Sequence, residues 1–262
     1  MCDAIEPFAR HFFTTRGWRL GSAAPDSLGE AWADVAGAAH VPADRLVRVH
    51  QVHGADALVS SRRRVETAQC RPLSQADIIV SGDPADALAI QTADCVPLLI
   101  VNRWTGALAA AHAGWRGLAA GVPRVTIAAL AREFDSRPGD LLAVAGPSIG
   151  ACCYEVGADV HARFATWCSG EELARWFHRQ PQATADNPSM AGLPPQLRDD
   201  HWYFDSWSAT RDQLEAAGVP PSQIFIAELC TASHSEVFCS YRRDGAAAGR
   251  MAGVIRRQTP RP

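Results

Sequence analysis

The chain has 262 residues, of which 47% are hydrophobic and 20% charged, a composition that suits a globular domain with a sizeable core. A formal net charge of -3 and an isoelectric point near 6.3 exclude the concentrated positive charge that nucleic acid or an anionic membrane surface would require. No lysine occurs, so all 25 basic residues are arginine, which removes Schiff-base chemistry and the lysine of a phosphate-binding loop.

From the N-terminus, MCDAIEPFARHFF carries acidic residues and no continuous apolar segment. No later run reaches the roughly 20 residues needed to span a bilayer, so a cytoplasmic protein is expected. The eight cysteines (Cys2, Cys70, Cys95, Cys152, Cys153, Cys168, Cys230 and Cys239) form no CxxC pair and are expected to be reduced thiols. Between Arg45 and His112 the runs RLVRVHQV, ADIIVSG, ALAIQT, PLLIVN and GALAAAH are rich in apolar residues and separated by turn signals, which predicts strands of one sheet system.

The glycine-rich HAGWRGLAAG leads into VPRVTIAALAREF, a helix by its apolar spacing, with Pro123 in the first turn and SRPGD as its end. LLAVAGPSIG reads as a further buried strand entering a loop that carries Cys152 and Cys153, and EVGADVHARFATW as a helix. From Cys168 to His201 the composition shifts to Gln, Pro, Asp, Arg and Asn, which predicts a surface excursion and not a domain boundary. FDSWSATRDQLEAAGV is a helix ending at Gly218, and QIFIAEL, EVFCSY and RMAGVI are expected strands. The alternation predicts an α/β fold of mixed α+β type, one domain over residues 1–262 with mixed β-sheets flanked by helices.

Within QTADCVPLLIVN, Asp94 and Cys95 sit side by side in an otherwise apolar run, followed by Pro97. A proline there removes a ladder donor, so the dipeptide is expected where a strand opens onto a loop. VHQVHGAD and AHAGWRG add His50, His53 and His112. Two imidazoles and one thiolate suit zinc or copper, and three protein ligands leave a fourth position for water or substrate. Spacing alone does not bring these residues together, and on spacing alone a buried thiol or a hydrogen-bonded core histidine is the commoner role for each.

Taken together, HQVHGAD, TADCVPLLI, AAAHAGWRGLAAGV, AGPSIGACCYEVG, FDSWSATRDQL and CTASHSEVFCSYRRDGAAAGR resemble, in order, the motifs of the YfiH-like (laccase-domain) proteins. These were first called polyphenol oxidases and later purine nucleoside phosphorylases. The resemblance runs from about Phe12 to Ile255 and implies that His53, Cys95 and His112 hold one catalytic zinc. It also implies a nucleoside-processing enzyme, active in phosphorolysis of adenosine, inosine and methylthioadenosine and in deamination of adenosine, with a purine nucleoside and phosphate as its partners.

The sequence departs from the family pattern after the TTR start, at Thr210 where asparagine is usual, and at Cys239 where a second phenylalanine is common. The Thr210 departure bears on substrate preference. Arg116, Arg242 and Arg243 are candidate phosphate clamps, with surface or interstrand ion pairs as the plainer reading. Asp94 could orient a ligand histidine, act as acid or base, or cap a strand end, and His50 is either a supporting group or a core residue. Trp115 and Trp202 could offer ring faces to a purine, or simply pack. Cys152 and Cys153 are expected to be two small buried side chains at a tight turn. Rival functions are a copper-dependent polyphenol oxidase, a zinc-free cysteine hydrolase with Cys95 as nucleophile and His112 as base, of the kind linked to cell-wall precursor editing, and a non-enzymatic binding protein.

Overall fold

Near-continuous apolar sequence in the central strands decides the architecture, because side chains that alternate across a strand then give each sheet two apolar faces. The computed structural model describes residues 2–21, 25–60, 73–193 and 198–258; Cys70 and, within the N-terminal departure, residues 22–24 lie outside them. Six strands run in the order β12 (Ile224–Ile226), β8 (Leu141–Ala145), β6 (Val96–Asn102), β7 (Leu108–Ala113), β4 (Ile78–Ser81) and β3 (Ala57–Val59). The centre is antiparallel, while β12 on β8 and β3 on β4 pair in parallel. A second sheet of four strands runs β1 (Ala9–Phe13), β13 (Met251–Arg257), β5 (Ala87–Thr92) and β2 (Leu46–Val47).

The two sheets pack face to face. Ile79, Leu99, Val101 and Leu108 of one meet Leu88, Ile90 and Ile255 of the other in a shared apolar layer. The neighbouring residues in each strand point the opposite way. Ile78, Val80, Leu98 and Ile100 pack beneath α3 (Val122–Phe134) and α6 (Ser206–Ala216), and Ala87, Ala89, Ala252 and Val254 beneath α1 (Pro25–Ala38). Strands buried on both faces need near-continuous apolar sequence, which is what PLLIVN and ALAIQT supply.

The helix over 122–134 falls where its spacing predicts, entered from Gly121 at φ 77 and left through Asp135 at φ 49. The Asp205 side chain accepts from the backbone N–H of Trp207 and Ser208 and caps α6. Gln213 of that helix donates to the Leu118 carbonyl, fixing α6 against α2 (Trp115–Ala119).

Four expectations are corrected. The strands between Arg45 and His112 divide between two sheets, because β2 pairs with β5 and β5 with β13, not with β4, β6 and β7. EVGADVHARFATW begins as a short strand, β9 (Glu155–Gly157), and only then becomes α4 (Ala158–Ala165). The excursion from Cys168 to His201 contains α5 (Gly170–Trp176), whose Ser169 and Glu172 form a reciprocal capping box, and β10 (Phe177–His178). β10 then pairs with β11 (His201–Phe204), and β11 with β9, in a three-stranded antiparallel sheet. EVFCSY is not a strand; it turns into α7 (Tyr241–Asp244), with the Ser240 hydroxyl accepting from the Arg243 N–H. Among the described residues no helix is long and apolar enough to cross a membrane.

Candidate metal centre

Three chain reversals bring His53, Cys95 and His112 to one place. β5 ends at Thr92 and β6 begins at Val96, so the chain turns sharply through Asp94, whose φ is 87. A non-glycine residue holds such a conformation only where its surroundings over-determine it. Here the Asp94 carboxylate accepts from Thr231 Oγ1 and from the Arg242 backbone N–H, each at 2.6 Å, and its carbonyl accepts from the Ile149 N–H at 2.9 Å. The Thr92 hydroxyl donates to the Cys95 carbonyl and closes the turn from the other side.

His112 lies near the end of β7, opposite Pro97 of β6, and its N–H is donated on the other side to the Asp77 carbonyl at 2.8 Å. His53 sits in a loop at φ 61. That loop is fastened by the Asp77 carboxylate, which accepts from the N–H groups of Val52, His53 and Gly54 at 3.2, 3.0 and 2.7 Å. The same carboxylate accepts from His112 Nδ1 at 2.8 Å. One fully buried side chain therefore sets both the His112 ring and the segment that presents His53.

With Nδ1 committed to Asp77, His112 has Nε2 free for a ligand. The ligand atoms of His53, Cys95 and His112 all lie within 4.8 Å of one another, and the two imidazole rings meet edge to face at 4.8 Å. His53 is exposed, Cys95 half-buried and His112 buried, so the group is open on the His53 side. Burial works against the Cys95 thiolate, but the charge of His112 and hydrogen bonds from His112 and His53 outweigh it and bring the thiol down to about 6. Burial likewise opposes the imidazolium of His112, yet the Cys95 thiolate and Asp77 raise it to about 9. Two nitrogens, one thiolate, and a carboxylate fixing the remaining ring nitrogen make a donor set that fits zinc or copper.

Gly114 supports the same reading. A Cβ built there would stand 2.7 Å from Cys95 Sγ and 3.5 Å from His53 Cδ2, so its absence keeps open the space the three ligands face.

The centre lies in a cavity of about 1060 Å³ whose wall includes Trp115, Arg116, Tyr154, Arg198, His201 and Arg242. Arg116 is exposed, its guanidinium stacked on Trp115 at 4.2 Å, and Arg242 lies over Tyr154 at 5.4 Å. His50 is an exposed residue of the rim, not a core group.

Other candidates fall elsewhere. Arg243 is a brace, not a wall residue: its guanidinium donates to the carbonyls of Thr231, Ala232 and Phe238 and pairs with Asp244. Asp94 also borders the cavity, but its carboxylate is spent on Thr231 and Arg242, and the carboxylate that orients His112 is Asp77. Trp202 stacks on His161 at 4.3 Å with Arg179 over its ring, and is not part of the cavity wall. Thr210 is fully buried in α6 and bonds the Ser206 carbonyl, while Cys239 packs with Phe238 and Met251, so both departures bear on packing.

Sequence reasoning missed Asp77, Tyr154, Arg198 and His201. For Asp77 the usable signal was a carboxylate at the mouth of a strand that pairs with the strand carrying His112.

Comparison with known proteins gives a consistent outcome. Over 231 residues the chain is 34% identical to a protein of Escherichia coli named purine nucleoside phosphorylase YfiH, covering 88% of this chain and 81% of that one. A Bacteroides thetaiotaomicron protein named purine nucleoside phosphorylase is 34% identical over 196 residues, 75% of this chain but 64% of the relative, so the match spans somewhat under two thirds of that protein's length. The crystal structure of YlmD from Geobacillus stearothermophilus superposes with a TM-score of 0.78 at 27% identity, covering 96% of this chain and 92% of that one. Residues 21–258 match the family described as multi-copper polyphenol oxidoreductase laccase, and the chain belongs to that family.

Proposed function

We propose that the chain is a metal-dependent purine nucleoside phosphorylase that cleaves adenosine, inosine and methylthioadenosine and also deaminates adenosine. The observation that carries this reading is the convergence of His53, Cys95 and His112, fixed by Asp77, in a cavity whose wall carries Arg116 and Arg242. The names borne by the E. coli and Bacteroides relatives point the same way. Zinc is the metal proposed, and when bound it supplies Lewis acidity at neutral pH.

Phosphorolysis requires a phosphate oxygen to attack the anomeric carbon of the ribose while the bond to the purine nitrogen breaks and its electron pair leaves with the base. Arg116 and Arg242 provide positive charge for the phosphate, and the Trp115 and Tyr154 rings offer apolar surface to the purine. Deamination instead adds water to the amino-bearing carbon and expels ammonia. The role of Asp77 in both is to hold His112 in one tautomer and orientation.

Incubation with adenosine tests the reading. Adenine should form only when phosphate is present, and inosine with or without it, both in proportion to bound zinc. Absence of both products from the zinc-loaded protein would overturn it.

A second reading has its own observation. Cys95, His112 and Asp77 form a thiolate–imidazolium–carboxylate series, the arrangement of a cysteine hydrolase. It would gain support if the metal-free protein hydrolysed cell-wall precursor peptides while metal addition suppressed the activity.

A further inference from the structure

A second group of ligating side chains lies behind the first. Cys152 and Cys153 follow β8 in a tight turn, and Cys230 follows β12, the parallel neighbour of β8. The isolated bridge between Ser148 and Cys230 draws the two segments together beyond the strand ends. The three thiols are free and buried, and their sulfurs all lie within 4.8 Å of one another.

The surroundings are built toward the sulfurs. The Gly150 N–H donates to Cys230 Sγ at 3.4 Å and the Met190 N–H to Cys153 Sγ at 3.2 Å. The Ser233 hydroxyl, which donates to the Pro188 carbonyl, stands 3.5 Å from both Cys152 Sγ and Cys153 Sγ, and the Cys153 thiol reaches the same carbonyl at 3.8 Å. Cysteines that merely fill space need no amide aimed at the sulfur, whereas N–H bonds to sulfur are a recurring feature of metal–thiolate sites. Ile149, Ala232, Met190 and Trp207 close the cluster with apolar surface, and among the described residues no imidazole or carboxylate belongs to it.

The segment over it is pinned at several points. Ser189 Oγ donates to the Cys152 carbonyl, the Cys230 N–H donates to Asn187 Oδ1 at 2.7 Å, and Asn187 Nδ2 donates to the Glu228 carbonyl at 2.8 Å.

We propose that Cys152, Cys153 and Cys230 form an all-sulfur site for a soft monovalent cation, Cu(I), separate from the His53–Cys95–His112 centre. Metal–thiolate bonds of about 2.3 Å in a trigonal plane place the sulfurs about 4 Å apart, within the separation found here. A disulfide would instead require two sulfurs at about 2.05 Å, and one between the adjacent Cys152 and Cys153 would be strained. Zinc asks for a fourth ligand in a closed site, whereas soft thiolates select Cu(I). Each cysteine that ligates as thiolate releases its proton to solvent. The chain thus separates two metals by donor type: a mixed nitrogen–sulfur set open to the cavity, and a buried sulfur set behind it. The two are joined through Asp94, which neighbours Cys95 and accepts from Thr231, the residue after Cys230.

The test uses the full chain with zinc bound first, and the H53A/C95A/H112A variant beside it. Both are titrated anaerobically with Cu(I) supplied as its acetonitrile complex against a chromophoric Cu(I) chelator. Each should take up one Cu(I) per chain with an ultraviolet thiolate-to-copper band, and X-ray absorption at the copper edge should show three sulfurs and no nitrogen. Cys230→Ser and Cys153→Ser in the triple-variant background should weaken uptake more than about 100-fold, with folding checked by circular dichroism. The X-ray measurement needs no substitution at the cluster and decides the matter where a serine variant does not fold. No uptake against the chelator, nitrogen in the copper shell, preferential binding of zinc by the triple variant, or a disulfide found by thiol counting would each overturn the proposal.

Discussion

His112 Nδ1 donates to Asp77 Oδ1 at 2.8 Å, and Asp77 is fully buried at the entrance of the strand that pairs with the strand bearing His112. The strand register and the ligand geometry are therefore one arrangement: Ile78 opposite Ala111 puts the preceding carboxylate beside the following imidazole. Any slip of β4 against β7 would destroy the centre.

Asp77→Asn tests that coupling. Asparagine can still accept two bonds at its one oxygen but cannot take all four that Asp77 takes, and it offers no charge to an imidazolium. Zinc affinity should fall about 10 to 100-fold in chelator competition.

Gly114→Ala should empty the centre while leaving the fold intact. Gly114 has φ -72 and ψ 174, which alanine adopts without strain, so the cost is confined to the 2.7 Å approach of the new Cβ to Cys95 Sγ. Metal content should drop below stoichiometric, and the melting temperature of the metal-free protein should move by only a few degrees, about 1 kcal/mol or less.

Asp94 should rank by backbone as well as by side chain. Asp94→Ala leaves the Thr231 hydroxyl and the Arg242 N–H without their acceptor and keeps an L-residue at positive φ, for a loss of about 2–4 kcal/mol in urea unfolding. Asp94→Gly makes the same hydrogen-bond loss but relieves the backbone, and should recover about 1 kcal/mol of it. Equal losses would show that φ carries no strain.

Arg116 and Arg243 should separate function from stability. Arg116→Ala removes an exposed guanidinium and should raise the KM for phosphate about 10-fold or more, with unfolding unchanged. Arg243→Ala leaves three carbonyls without a donor and should lower stability by about 1–3 kcal/mol.

Alkylation of the metal-free protein should single out Cys95. Its reaction with iodoacetamide should rise with pH through a midpoint near 6, because the thiol titrates there against His112. His112→Ala removes the opposing charge and should carry the midpoint upward. An unmoved midpoint would show that the imidazole does not set the thiol.

The sequence made some of this legible for local reasons. The helix over 122–134 carries its own periodicity, Pro123 and end signals, and none of them depends on distant residues. His53, Cys95 and His112 were visible as motif residues, but their convergence needed the β4–β7 and β6–β7 ladders. Asp77 escaped because a carboxylate beside a strand looks like a cap until the partner strand is known. EVFCSY misled for a different reason. Its alternation suits a strand, but the backbone groups of that segment and its neighbours are taken by side chains: Arg243 binds the carbonyls of Thr231, Ala232 and Phe238, and Asp94 takes the Arg242 N–H.

β13 is inserted between β1 and β5, joining residues 9–13 and 87–92 to residues 251–257 at the far end of the chain. During synthesis His53, Cys95 and His112 precede the partners of Asp94 by more than a hundred residues, and the strand that completes the sheet comes after those partners. Contacts so distant in sequence are paid for in loop-closure entropy and form late. The candidate ligand side chains are therefore synthesised well before the contacts that hold the Cys95 turn in place can form.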